Sequence, residues 1–151
     1  SSIHQWAVDP VTVAPMFHMD HVARLHNGGA LPVVLEMTCY TSDFSNPDYD
    51  SALDETLLRQ TGGGAVATWG STARAEHVGH ITLHQGFFDA VFQDGTTELG
   101  QATEAAKAQL SPYYSYMRDV YVLLGDPAMD LNLDIVPWTD EVFLPLTIRG
   151  S

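Results

Sequence analysis

The sequence predicts an α/β fold with a mainly parallel sheet, because short apolar runs alternate along it with segments of helical periodicity. Residues 31–37 and 65–69 are the clearest runs. Each is short, nearly unbroken and carries β-branched side chains, which suits strands covered on both faces. After an acidic start, 50–60 spaces its apolar residues as a helix does, until Gly62, Gly63 and Gly64 break the pattern.

The remaining elements follow in order. A short helix is expected from Asp20, which would cap it, to Leu25, with Asn27, Gly28 and Gly29 closing it. A long helix is expected over 78–93, with Leu83, Phe87, Phe88, Val91 and Phe92 toward the core. Another covers 98–110, rich in Ala, Glu and Gln. Residues 120–124 read as a strand entering the turn Gly125-Asp126-Pro127. From Met129 to Ile135 apolar and polar residues alternate, the mark of a half-exposed strand near a sheet edge. The stretch from Pro137, with Trp138, Phe143, Leu144 and Leu146, is apolar but irregular.

Composition bounds the function. The 151 residues suffice for one domain with a core, and 45% hydrophobic content belongs to a folded chain. Six Lys and Arg against nineteen Asp and Glu give a net charge of −13. That surface repels phosphate backbones and anionic lipid, so neither nucleic acid nor membrane is expected as a partner. One cysteine allows no disulfide within the chain and no zinc site built on several thiolates. No apolar run approaches the roughly 18 residues of a membrane span, and no signal-peptide pattern opens the chain. The opening residues read as the continuation of something upstream.

In open parallel sheets the working residues gather at the carboxyl ends of the strands. Cys39 stands two residues past the run 31–37, and Trp69, Ser71 and Thr72 stand at the same end of the next run. If those strands are parallel neighbours, the two loops face each other across a cleft. Two readings of Cys39 stay open on position alone: a small buried residue, or a nucleophile. A nucleophile needs a base and oxyanion donors. Backbone N–H groups of the turn after Cys39 are candidate donors, and the base should be a histidine, of which there are seven. His77, His80 and His84 share one helix face, but Gly79 weakens that helix start and no carboxylate completes a metal set; no metal or other cofactor is expected. The pair Asp54-Glu55 reads as a solvated helix face, Trp69 as either core or pocket wall, and Asp126 as a shaper of its turn.

The segment Leu31-Pro32-Val33-Val34-Leu35-Glu36-Met37-Thr38-Cys39, followed by a polar turn and Phe44, resembles the nucleophile segment of gingipain-type cysteine peptidases. The likeness continues in order through the glycines and strand of 62–72, the aromatic helix 87–92, the helix around Leu99-Gly100-Gln101-Ala102, and 121–128 with its Gly-Asp-Pro turn. It covers about residues 20–135.

The resemblance implies a caspase-like three-layer fold, incomplete here, with 1–136 as the C-terminal part of the peptidase domain and 137–151 as a tail. It implies a cysteine endopeptidase acting through a thioester, with Cys39 as nucleophile and Trp69, Ser71 and Thr72 lining the substrate side. The family's histidine lies in a Gly-His-Gly-Ser-like turn that would fall just before residue 1, together with the first strands of the sheet. An N-terminal fragment of the same precursor is therefore expected as a partner, beside a peptide or protein substrate. Without that histidine, the alternative is an inactive domain serving as a binding or assembly module. The resemblance also implies a secreted or cell-surface location.

Overall fold

The computed structural model describes residues 2–6 and 9–131. Its elements run α1 (Met19–Val22), β1 (Val33–Leu35), α2 (Leu53–Arg59), β2 (Ala67–Ser71), α3 (His77–Phe92) and α4 (Leu99–Ala108). A 3-10 turn (Pro112–Tyr114), α5 (Met117–Val120) and β3 (Tyr121–Leu124) complete it. The expected edge strand 129–135 lies mostly outside the described residues, as does the apolar segment from Pro137; within them, Asp130 forms one antiparallel bridge with Glu98.

The sheet order is β1-β2-β3. The α/β class and the parallel pairing of the first two strands stand as expected, with Val33, Val34 and Leu35 opposite Ala67, Thr68 and Trp69. The third strand is antiparallel to β2, so the sheet is mixed. Helices α3 and α4, packed on each other, bring the chain back to the end of β2 it left, and Thr72 N–H donates to Val120 O there at 2.8 Å. A strand starting from that end can only run antiparallel.

Layers lie on both faces of β2, which is buried throughout. On one face Ala67 and Trp69 pack with Leu83, Phe87, Ala90 and Val91 of α3 and with Leu99, Ala102 and Ala106 of α4. On the other, Val34 packs with Leu53 and Leu57 of α2 and Val22 of α1. Alternation along β1 produces this split: Val33 and Leu35 join the first cluster, Val34 the second.

Four local expectations are corrected. Asp20 does not cap α1: His18 does, its Nδ1 accepting from Asp20 N–H at 3.1 Å, while His21 Nδ1 accepts from His18 N–H at 3.2 Å. Asp20 instead lies in the first turn, beside the positive end of the helix. Phe88 and Phe92 are 40% and 51% exposed. A step of about 100° per residue sets them beside the core stripe of Leu83, Phe87 and Val91, where their rings stack at 5.6 Å. The strand 31–37 shortens to Val33–Leu35, although Pro32 O and Glu36 N–H still bond to Val66 and Trp69. Last, Asp54 is fully buried rather than solvated, whereas Glu55 turns outward to pair with Arg59 at 3.3 Å.

Gly64 shows how tightly the start of β2 is held. Its φ is +94°, and an added Cβ would come within 2.0 Å of Leu57 O. Gly64→Ala is therefore expected to destabilise the fold by at least ~2 kcal/mol, read as a lower denaturant midpoint at unchanged slope.

Candidate active site

Because β1 and β2 are parallel neighbours, their carboxyl ends lie side by side. Thr38 N–H bonds back to Glu36 O at 2.8 Å, which stops β1 and turns the chain toward the second strand's loop. Cys39 follows, half-buried against the main core. Its Sγ meets the backbone of Ala75, the N–H donating to sulfur and the thiol to the carbonyl, each at 3.4 Å. Tyr40 then adopts φ +67°, a left-handed conformation that non-glycine residues seldom hold and that clusters at functional sites.

The loop after β2 supplies most of what holds this turn. Tyr40 N–H donates to Ala73 O at 3.2 Å and Ser42 N–H to Ser71 O at 3.1 Å. Asp43 N–H bonds to Tyr40 O and Phe44 N–H to Ser42 O. Four N–H groups of the turn are thus committed inside the protein rather than offered to an oxyanion. Around Cys39 stand Tyr40 and Tyr116, both 40% exposed, and an exposed Arg74–Glu76 pair at 4.0 Å. Burial, then negative charge at Glu76 and Cys39, raises the Tyr116 hydroxyl above its usual pKa.

The three residues expected on the substrate side are together at this end of β2, but they do not present themselves equally. Trp69 is fully buried, its ring 5.5 Å from Tyr121 and 5.9 Å from Phe87. Ser71 is also fully buried; its hydroxyl donates to Ala73 O at 2.8 Å and accepts from Ala73 N–H at 3.2 Å. Thr72, partly exposed, is tied to Val120 O through both N–H and hydroxyl. His4 lies against Tyr49 at 4.4 Å and His18 at 6.3 Å. His80, half-buried beside Tyr121, is shifted toward the neutral form first by burial and then by His77. Among the described residues no three His, Cys, Asp or Glu side chains converge as a metal set. Asp126 accepts from Ala128 N–H at 2.9 Å, shaping its turn.

A buried acidic pair behind Cys39 escaped the sequence reading. Glu36, at the end of β1, is 2% exposed, and Asp54, in the first turn of α2, has no exposed surface. Burial is the main cause raising the Glu36 carboxyl far above the carboxylate range, followed by the charge of Asp54. Burial also raises Asp54, opposed first by the Ser42 hydroxyl and then by the polar groups of Glu36 and Thr68. Trp6 Nε1–H donates to Glu36 Oε2, and Ser42 Oγ–H donates to Asp54 Oδ2. Gly70 makes room for the pair: a Cβ there would meet Asp54 Oδ2 and Ser42 Oγ at 2.6 Å.

Comparison with known proteins gives this geometry a context. The model of peptidase family C25 matches residues 1–132. No curated protein sequence matches the chain. The structure is similar to that of an Arg-specific cysteine proteinase, gingipain R, with a TM-score of 0.76 at 19% identity over 86% of this chain and 31% of that one. It is similar also to a complex of the pro- and mature domains of RgpB from Porphyromonas gingivalis, with a TM-score of 0.73 at 21% identity over 85% and 31%. A third solved protease gives a TM-score of 0.68 at 17% identity, over 86% and 33%. The chain thus spans about a third of each of these solved chains, and what it shares with them is the fold, the caspase-like α/β architecture of gingipain.

Proposed function

Since the chain belongs to peptidase family C25 and is a cysteine-peptidase-type domain, we propose that Cys39 is the nucleophile of an endopeptidase that cleaves peptide bonds through a thioester. One observation carries this reading. The single thiol sits at the carboxyl end of β1, in a turn with left-handed backbone at Tyr40, facing the loop that ends β2.

The Cys39 thiolate attacks the peptide carbonyl, and the oxyanion so formed is met by backbone N–H donors other than the four committed within the turn. The tetrahedral adduct collapses to a thioester as the amine leaves with a proton. Water then hydrolyses the thioester, returning the thiol. The histidine that moves these protons would come from chain preceding residue 1. Thr72, the partly exposed member of its trio, is proposed to face substrate, with Trp69 and Ser71 beneath it fixing the shape of the loop.

Residues 1–136 are proposed as the C-terminal part of the peptidase domain, with 137–151 as its tail. An N-terminal fragment of the same precursor is proposed to pack along β1. Val33 and Leu35 there line an apolar groove of about 400 Å³ with Phe87, Phe88, Val91 and Phe92, an apolar surface suited to another layer of chain. The pairing of pro- and mature domains in the similar structure supports such a partner. A secreted or cell-surface location goes with this reading; among the described residues no helix is long and apolar enough to cross a membrane.

The test is a thioester trap. The purified protein is mixed with a protein substrate, quenched in acid and weighed intact. An acyl adduct on Cys39 that hydroxylamine removes is the expected result. Substrate left uncut, with no adduct, would favour an inactive domain kept for binding or assembly.

A further inference from the structure

Glu36 and Asp54 lie under the Cys39 turn. Among the described residues no Lys, Arg or His forms an ion pair with either carboxyl. Two buried anions in contact without a countercharge would be costly. Among the described residues Glu36 Oε1 and Asp54 Oδ1 have no hydrogen-bond partner, although the two side chains crowd the same spot beside Gly70, where an added Cβ would meet Asp54 Oδ2 at 2.6 Å and Glu36 Cβ at 3.0 Å. One proton held by Glu36 and offered to Asp54 resolves both facts.

The pair also has mechanical reach. Asp54 takes the Ser42 hydroxyl through its side chain, and its backbone N–H donates to Thr41 O at 3.2 Å. Tyr121 OH donates to Glu36 O at 3.3 Å. Glu36 thereby sits between β3 behind it and the Thr41-Ser42 step that follows the nucleophile. The groups facing the pair are Trp6 from the N-terminal segment, Thr41 and Ser42 from the turn, Thr68 and Gly70 from β2, and Tyr121 from β3. Of these only Tyr121 titrates, and burial, with Cys39 the next cause, moves its hydroxyl upward and away from neutrality.

Resting on the reading of Cys39 as nucleophile, we propose that Glu36 and Asp54 are positioning residues, a carboxyl pair sharing one proton that clamps the Thr41-Ser42 step and so fixes the Cys39 turn. When Glu36 gives its proton to water, two adjacent buried carboxylates repel each other, and the Ser42 hydroxyl loses its fixed acceptor. The turn then loosens. Both carboxyls are raised in the folded state, so their contribution to stability is complete below the ordinary carboxylate range and is lost as pH rises through the folded value. A salt-bridged acid would show the opposite sign.

The experiment measures the rate of Cys39 alkylation by iodoacetamide from pH 5 to 9.5 in the intact purified protein, beside Glu36→Gln and Asp54→Asn. Glutamine keeps an acceptor for Trp6 and a donor for Asp54, but cannot ionise. In the wild type the rate should climb about three- to tenfold beyond a single-thiol titration as the turn loosens. Above neutrality Glu36→Gln should follow the single-thiol curve, with a melting temperature that no longer falls there, whereas Asp54→Asn, which leaves Glu36 buried but without the neighbouring charge, should move the step to lower pH. Should a variant fail to fold, wild-type amide exchange at residues 41–43, corrected for base catalysis, must show the same step. Profiles coinciding in all three proteins, or no exchange step, would overturn the clamp. Peptide turnover measured alongside separates the two ideas: a step without turnover keeps the clamp and removes the peptidase reading, and turnover without a step does the reverse.

Discussion

Cys39→Ala is expected to lower peptide hydrolysis by at least about 10³-fold while the protein stays folded. Loss of an attacking nucleophile removes the covalent route entirely, and what remains comes from substrate binding and oxyanion stabilisation alone. The structural cost is small, because Cys39 is half-buried and its sulfur contacts only fringe the core around Trp69. Trimming one sulfur there costs on the order of 1 kcal/mol. Cys39→Ser keeps the geometry and the Ala75 hydrogen bonds but not the acidity of the thiol, so it should be nearly as inactive. Parallel measurement of kcat/KM and of thermal unfolding checks both halves.

Trp69→Ala, by contrast, should cost about 3–5 kcal/mol and leave little folded protein. The indole is fully enclosed between the β-sheet and α3, against Tyr121 and Phe87, and nothing near it can collapse far into the space it would vacate. Among the described residues its buried Nε1–H has no hydrogen-bond partner. Trp69→Phe removes that unsatisfied donor, which offsets part of the lost volume, so a cost of no more than ~2 kcal/mol is expected. Denaturant unfolding of the two variants separates them. A phenylalanine variant that is stable but has a raised KM would return Trp69 to the substrate side.

What the sequence could and could not show follows from how far each cause lies along the chain. Helix α3 was legible almost to the residue, expected over 78–93 and found from His77 to Phe92, because a long periodic segment carries its own signal. The parallel pairing of β1 with β2 was legible from two apolar runs, and with it the approach of Cys39 to the loop after β2. The direction of β3 was not, since it depends on α3 and α4 together returning the chain to one end of the sheet. Asp54 was read as solvated because acidic residues in a first helical turn usually face water and the helix dipole. Its burial is decided instead by Glu36 and Ser42, eighteen and twelve positions away, closing over it. Glu36 was hidden inside an apolar run, though an acid there with no neighbouring cation is itself a signal worth pursuing.

The most direct measurement is the intact mass of the native protein after brief exposure, at neutral pH, to a peptidyl inhibitor bearing a thiol-reactive group. Saturable labelling of Cys39, many times faster than that of a free thiol and abolished by prior alkylation, is the predicted result. Labelling that rises linearly with inhibitor at the rate of free cysteine would contradict the assignment of Cys39 as an activated nucleophile.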